Sequence, residues 1–229
     1  MRRYFNILFL AIVTVLLIQA CNISTKKSRG ISEGVMKYEI TYLEDENTNP
    51  IISLMPSYMS MSFKDNSVVM VVEGWMGIFK STFIKNYKDS ESITLLKILN
   101  KKYCYKSGDA NGFIGFSDFK KVKIEYDDKV KKILDFNCNH AVVTVPDRDL
   151  TFDIYYTKDI NIDRPNEFTP FAEVPGVLMD FRIKVNGIAM HLSASEIIEV
   201  DVPNDAFAIP EDYDVVSKEQ LNKIFSEII

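Results

Sequence analysis

Apolar and polar residues alternate one by one over most of the chain from Gly34 onward. In Met36–Tyr42 and Met59–Phe63, every second residue is apolar and the residues between them are polar. This period of two is typical of β-strands, because successive side chains of a strand point to opposite faces of the sheet. The pattern predicts further strands over 68–72, 78–87, 93–99, 103–106, 121–126, 131–145, 151–156, 177–185 and 188–202.

Short polar turns separate these strands, and no segment long enough for a crossover helix lies between them. Turn residues occur at Asp65-Asn66, Asp127-Asp128 and Asn186-Gly187, and Asn-Gly is the strongest hairpin signal in the chain. Tight turns join antiparallel neighbours, whereas parallel strands need long connections. The sequence therefore predicts a mostly β fold, an antiparallel meander. Val68–Val72 is apolar on both faces, as expected of a strand that is covered on both sides.

Helices are few in this pattern. A short turn is expected over Pro50–Met55. A C-terminal helix is expected after Ser217, because Ser217 and Gln220 have the spacing of a capping box. Its apolar stripe consists of Leu221, Ile224, Phe225 and Ile228.

The segment 161–175 is irregular and contains three prolines together with Phe168 and Phe171. A long proline-interrupted loop inside a compact β domain is often a functional lid. The alternative is a plain connector that crosses the mouth of the sheet and buries its two aromatic residues. The sequence leaves both interpretations open.

The N-terminus has a different pattern. Arg2 and Arg3 precede an apolar run over 5–18, and Ile18-Gln19-Ala20-Cys21 follows. This order resembles the lipobox of bacterial lipoproteins, which implies cleavage before Cys21 and acylation of its thiol and new amino end. A membrane-spanning helix is the first alternative, but the run is shorter than the roughly 20 residues that a span needs. A plain secretory signal is the second alternative, and it does not need the cysteine.

These features divide the chain into a signal peptide over 1–20, a lipidated flexible tether over 21–33 and a single β domain over 34–229. The residues after Cys21 are polar, small and basic, with no hydrophobic period. Two or three acyl chains hold a protein firmly on a bilayer. Asn22 is not the aspartate that retains lipoproteins in the inner membrane of enteric bacteria. The expected location is therefore the outer membrane, with the domain facing the periplasm.

Charge and cysteine content narrow the possible partners. Removal of Arg2 and Arg3 changes the formal charge from −5 to −7, which argues against nucleic acid. After lipidation only Cys104 and Cys138 remain, and they either pair as a cross-strand disulfide or stay as buried free thiols. With two histidines and no closely spaced cysteine pair, we expect no metal site and no cofactor.

Several segments resemble known envelope lipoproteins. Ile133-Leu134-Asp135-Phe136-Asn137-Cys138, then Tyr156-Thr157, then Val174-Pro175-Gly176-Val177-Leu178 follow the order of motifs in the GLPGLI family. Val202-Pro203, Phe207, Ile209-Pro210 and Tyr213 are similar to the close of LolA-like domains. The resemblance implies an open antiparallel half-barrel around helices, as in the lipoprotein carriers LolA and LolB, whose concave apolar face holds acyl chains.

Catalytic constellations are weak in this sequence. His191 shares a strand with Ser193 and Ser195, and His140 lies in mid-strand, but no nucleophile-elbow pattern frames either serine. We therefore expect a protein that is not an enzyme, with an envelope hydrolase as a remote alternative.

The apolar surface of the predicted half-barrel is the stronger candidate site. Methionine suits surfaces that bind varied apolar ligands, although it also fills ordinary cores. We expect a lipid-anchored protein that binds an acyl chain or a lipoprotein in its concave sheet; the alternative is an assembly lipoprotein that binds an envelope protein without a small ligand. The residues expected to line the trough are Met36, Tyr38, Ile40, Met59, Met61, Phe63, Trp75, Phe168, Phe171, Met179 and Phe181.

Overall fold

The computed structural model describes residues 30–47, 49–74, 77–86, 91–108, 121–185 and 187–227. These residues form one twelve-stranded, mostly antiparallel sheet that does not close on itself, with one C-terminal α-helix. The predicted fold class is confirmed. The elements are β1 (Gly34–Tyr42), β2 (Tyr58–Lys64), β3 (Ser67–Glu73), β4 (Phe79–Asn86), β5 (Ser92–Ile98), β6 (Lys101–Ser107), β7 (Lys123–Ile133), β8 (Phe136–Val145), β9 (Leu150–Thr157), β10 (Val177–Val185), β11 (Ile188–Ile198), β12 (Asp214–Val215) and α1 (Lys218–Ser226).

Two meanders meet at the centre of the sheet. The strand order is β12-β6-β5-β4-β3-β2-β1-β11-β10-β9-β8-β7, so that β1 joins the meanders by pairing with β11. Strand β12 is parallel to β6, and every other pair is antiparallel. The Met36↔Met61 and Met61↔Met70 pairs place these side chains on one face, called here the inner face.

The sheet is curled around this inner face. Strands β4 and β10 are five strand positions apart, which is roughly 24 Å in a flat sheet. Nevertheless Phe83 of β4 and Phe181 of β10 line the same cavity. This proximity requires the open, curled sheet that the half-barrel prediction describes.

The segment 158–176 packs into the curl and is called here the inner segment. It buries Phe171 completely, against Phe152 of β9 and Phe181 of β10, with ring centres 6.4 and 6.2 Å apart. The Asn166 amide holds the segment together by donating to the carbonyls of Val174 (3.0 Å) and Gly176 (2.8 Å). The largest cluster of buried apolar residues therefore joins this segment to strands from both meanders.

The C-terminal part of the chain covers the meander formed by β1 to β6 on both faces. Phe207, Ile209 and Tyr213 pack on the outer face, against a cluster that includes Val69 and Leu95. After β12 the chain reaches the inner face, where Leu221 and Phe225 of α1 pack against Leu96. These contacts explain why β3 is apolar on both faces. Ser217 caps α1 in the predicted capping box with Gln220.

One predicted turn is wrong. Strand β7 continues past Asp127-Asp128, where the register shifts between Tyr126 and Val130, and the reversal occurs instead at Leu134-Asp135. Asp127, Asp128 and Lys129 therefore form a bulge opposite His140, a feature that accommodates extra residues in one strand without ending it. The predicted hairpin between β10 and β11 is confirmed, with Val185 paired to Ile188 and Gly187 at φ 88°.

Some predictions lie outside the described residues. These are the signal peptide, the lipidation of Cys21, most of the tether, Trp75 and the last residue of the helical stripe, Ile228. Within the described ranges, no helix has the length and apolar character needed to cross a bilayer.

Candidate ligand-binding cavity

A cavity of about 190 Å³ lies between the inner face of the sheet, the inner segment and α1. Its lining is almost entirely apolar, because alternate residues of six neighbouring strands contribute Ile, Val, Leu, Met and Phe side chains. Pro165 and Phe168 of the inner segment and Phe225 of α1 complete it. The lining residues are Ile40, Tyr42, Met55, Pro56, Met59, Met70, Val72, Phe79, Ser81, Phe83, Thr94, Pro165, Phe168, Thr169, Phe181, Ile183, Val185, Met190, Leu192 and Phe225.

Four of the predicted trough residues line the cavity: Ile40, Met59, Phe168 and Phe181. The other described ones do not border this cavity, because they are packed in the core that includes the inner segment. Tyr38 illustrates this packing: its hydroxyl donates to the Leu178 carbonyl at 2.8 Å and its ring meets Phe181 edge-on. The residues buried in this way are Met36, Tyr38, Met61, Phe63, Phe171 and Met179.

The two aromatic residues of the inner segment have different surroundings. Phe171 fills the trough, whereas Phe168, three residues earlier, borders the space that remains. Gly176 ends the segment against β9, and a Cβ atom there would lie only 2.4 Å from the Thr157 carbonyl oxygen. This close approach explains why the chain needs glycine where it enters β10.

Most of the lining is absent from the predicted trough. The same alternation indicates six further lining residues, because they share the inner face with the predicted ones: Met70, Val72, Ile183, Val185, Met190 and Leu192. Met55, Pro56 and Phe225 come from outside the strands and carry no such signal. Methionines 55, 59, 70 and 190 line the cavity, so part of the methionine content does face the candidate site.

Tyr42 holds Met55 and Pro56 in the wall of the cavity. Its hydroxyl donates to the Pro56 carbonyl at 2.6 Å, and burial raises the pKa of Tyr42 to about 12. Beyond this wall lies a more polar depression of about 520 Å³, lined in part by Glu44, Glu46 and Ser53. Ile40, Tyr42, Met55 and Pro56 line both spaces, so the two spaces adjoin at these residues.

The histidines lie on the outer face, away from the cavity. His140 is buried, with Nδ1 2.9 Å from Asp127 and Nε2 2.9 Å from Asp153. Burial alone would raise the pKa of Asp127, but hydrogen bonds from His140 and Lys129 outweigh it and lower the pKa to about 2. These contacts tie the bulge of β7 to β8 and β9.

The second histidine also pairs with a carboxylate. His191 Nε2 lies 2.7 Å from an Asp180 oxygen, and the Ser195 hydroxyl donates to the Lys37 carbonyl. His191 and Ser195 therefore contact different residues: His191 contacts Asp180, and Ser195 contacts Lys37.

The two described cysteines are free and buried in different clusters. Cys104 of β6 belongs to the outer-face cluster, and Cys138 of β8 belongs to the main core. Their strands are close to opposite edges of the sheet, so the disulfide considered from the sequence does not form here. Burial raises the pKa of both thiols, that of Cys138 to about 11.

Comparison with known proteins identifies the fold only. No family model matches the chain, and no curated protein matches its sequence. The solved structures of PNGF-II in two crystal forms match 86% of this chain with TM-scores of 0.52 and 0.51, at 10% and 12% sequence identity. The chain spans only about a third of their length, 34% and 32%.

A looser match is LprF from Mycobacterium bovis, with a TM-score of 0.32 and 12% identity over 79% of this chain and 92% of that one. A structural match with a TM-score this low carries no conclusion about the chain. The resemblance to GLPGLI and LolA-like lipoproteins therefore stays a prediction from the sequence, and the chain is a mostly β protein.

Proposed function

We propose that this protein binds an acyl chain or a similar apolar ligand in the cavity between its curled sheet, the inner segment and α1. The observation that carries the proposal is the nearly uninterrupted apolar lining of a partly open cavity. Sites for small ligands are typically concave, lined mostly by apolar and aromatic side chains, with few polar groups. The lining of this cavity has that composition.

The volume limits what the cavity holds. At about 190 Å³ it is slightly larger than the roughly 150 Å³ apolar cavity that binds one benzene molecule. It is smaller than the ≈ 300–1,000 Å³ typical of sites for drug-sized ligands. We infer that one section of a single hydrocarbon chain fits inside, and that the three chains of a lipoprotein anchor do not fit together.

We further propose that the protein works in the cell envelope, anchored by acyl chains on Cys21 and facing the periplasm. This part rests on the lipobox-like sequence that ends at Cys21. It agrees with an apolar ligand, because a lipid-anchored domain remains next to a source of acyl chains. We propose no catalytic role.

Assembly with an envelope protein is the second candidate, and one observation favours it. Leu54, Ile78 and Leu99 are 61, 46 and 62% exposed although they are apolar. Ile78 and Leu99 are neighbours, since the Leu99 amide donates to the Ile78 carbonyl at 2.7 Å. Exposed apolar residues that adjoin one another are a common feature of surfaces that bind proteins.

A cavity-filling variant tests ligand binding. All strands and helices of the described structure lie between Gly34 and Ser226, so residues 22–229 contain the complete described fold. In the fragment 22–229, Ser81→Leu adds an apolar side chain to the cavity lining. The control is Ser60→Leu, which makes the same change on the outer face of β2.

We expect native mass spectrometry of residues 22–229 to detect a co-purified lipid, or to detect added 1-decanol when no lipid co-purifies. Ser81→Leu should weaken decanol binding, and Ser60→Leu should not. The proposal is wrong if the purified protein holds no lipid and binds no decanol. In that case a stable complex with an envelope protein in pull-downs would favour assembly.

A further inference from the structure

Four side chains with hydroxyl groups interrupt the apolar lining of the cavity: Tyr42, Ser81, Thr94 and Thr169. Two of these hydroxyls bond within the protein. The Tyr42 hydroxyl donates to the Pro56 carbonyl at 2.6 Å, and the Thr169 hydroxyl donates to the Asn166 carbonyl at 2.9 Å. These two groups hold the wall of the cavity together and have their partners in the chain itself.

Ser81 and Thr94 differ from these two residues. Both are on the inner face, because Ser81 is two residues before Phe83 on β4 and Phe83 pairs with Thr94 of β5. Neither side chain makes a hydrogen bond within the part of the chain that the structure describes, although Thr94 is only 7% exposed. Most buried hydroxyls are satisfied by the protein, by water or by a ligand, because an unpaired one is unfavourable. On the wall of a cavity, such a hydroxyl is positioned for a polar atom of a ligand.

The two hydroxyls are spaced for one shared ligand atom. Ser81 pairs with Leu96, and Thr94 is two residues before Leu96, so Ser81 and Thr94 are diagonal neighbours across β4 and β5. Diagonal neighbours are about 7–8 Å apart, with their Cβ atoms somewhat closer, so two short side chains do not reach each other. Two hydroxyl hydrogen bonds of about 2.7–2.8 Å together span about 5.5 Å. One ligand oxygen between the side chains can therefore contact both.

The charge of the lining limits the kind of polar group that fits. The described lining residues include no lysine, arginine, histidine, aspartate or glutamate. Burying a charge without an opposite charge costs far more than burying an uncharged group that is hydrogen-bonded. A serine or threonine hydroxyl both donates and accepts, so it serves a ligand hydroxyl as well as a ligand carbonyl.

We propose that the ligand of the cavity is a single-chain molecule with one uncharged oxygen group, a hydroxyl or a carbonyl. Its oxygen bonds Ser81 and Thr94, and its hydrocarbon chain packs against the apolar lining. This inference rests on the proposed function, because it specifies the polar group of a ligand whose chain occupies the same cavity. An alcohol or the ester carbonyl of an acyl chain has this chemistry, whereas an ionised fatty acid does not.

The test compares four probes of similar size: 1-octanol, 2-octanone, octanoate and butylbenzene. Methionines 55, 59, 70 and 190 line the cavity, so their methyl resonances in nuclear magnetic resonance report binding there during a titration of residues 22–229. At pH 8 we expect octanoate to bind at least about tenfold more weakly than octanol, because its carboxylate would be buried without an opposite charge.

Two variants and one matched control locate the oxygen group. Thr94→Val replaces the hydroxyl with a methyl group, and Ser81→Ala removes the other hydroxyl. Each should weaken the binding of octanol, octanone or both by about two- to tenfold, the value of one neutral hydrogen bond. Neither should weaken the binding of butylbenzene, which has no oxygen. Thr82→Val is the control, since Thr82 is on the same strand as Ser81 and is 9% exposed, but lies on the outer face. It should alter no affinity.

A stability measurement separates ligand binding from a structural role of Thr94. Since its hydroxyl has no partner in the described chain, Thr94→Val should not lower the urea midpoint of the ligand-free protein. Thr94→Ser keeps the hydroxyl and should keep the affinity for octanol relative to butylbenzene. A lower midpoint together with an equal loss of affinity for all probes would assign Thr94 a structural role and overturn the inference. If Thr94→Val does not fold, Ser81→Ala and Thr94→Ser decide the question.

The outcomes also separate this inference from the proposed function. A loss confined to octanol identifies an alcohol as the ligand class, and a loss confined to octanone identifies a carbonyl compound. If octanol and octanone bind but keep their affinity in both variants, the cavity binds chains and the oxygen site is wrong. Octanoate that binds as tightly as octanol would refute the uncharged group. If no probe binds, the proposed function itself fails.

Discussion

Phe168 and Phe171 offer a paired test of how the inner segment works. They are the same residue type, three positions apart, and 8 and 0% exposed. Phe171 is surrounded by packed side chains, including the rings of Phe152 and Phe181. Phe168 borders the cavity on one side. Replacing each with alanine therefore removes the same atoms from two different surroundings.

The expected loss of stability is larger at Phe171. There the free energy of unfolding should fall by about 3–5 kcal/mol, since a new void adds to the lost burial of the ring. At Phe168 the space already exists, so the loss should be close to the transfer free energy of the side chain alone, about 1.5–3 kcal/mol.

Urea denaturation followed by far-ultraviolet circular dichroism measures both effects. With a denaturant slope of about 3 kcal/mol/M, Phe171→Ala should lower the urea midpoint by about 1–1.7 M and Phe168→Ala by about 0.5–1 M. If Phe171→Ala does not fold, Phe171→Leu should show the same order with a smaller shift. Equal shifts, or a larger shift at Phe168, would refute the assignment of Phe171 as the filling residue and Phe168 as the wall.

Three further predictions concern other parts of the chain. Because burial raises the thiol pKa of Cys104 and Cys138, both should react slowly with a disulfide reagent in the native protein and rapidly in urea; fast reaction without urea would contradict their burial. The folded pKa of Asp127 is below its ordinary value of 3.8, so the stabilisation from its contact with His140 should be present above pH 4 and lost between pH 4 and about 2. The urea midpoints of the unchanged protein and Asp127→Asn should therefore differ at pH 6 and converge near pH 2. Cys21→Ala should release the protein from membrane fractions; sedimentation that survives a carbonate wash would indicate a true membrane span.

Local pattern was sufficient for most of the strands, but not for the boundary between β7 and β8. Alternation along β1, β2 and β10 depends only on each strand having one face toward a core, and the structure confirms it. The apolar pattern on both faces of β3 correctly predicted a strand covered on both sides. The C-terminal segment covers Val69 on the outer face.

The bulge in β7 could not be predicted in this way. Asp127-Asp128 is composed of residues that favour turns, and sequence alone gives a turn there. In the structure Asp127 instead contacts His140 on β8, and Lys129 donates its amide to the Asp127 carboxylate at 3.0 Å. A partner thirteen residues away thus stabilises a conformation that local preferences do not favour.

Local sequence does not predict which part of the inner face is packed and which part borders the cavity. Met36 and Ile40 are on the same strand and point to the same side, yet Met36 is packed in the core and Ile40 borders the cavity. The difference arises from what lies opposite, because the inner segment and α1 are far from β1 in the chain. Strand periodicity gives the direction of a side chain, whereas empty space depends on how much volume distant segments bring to that side.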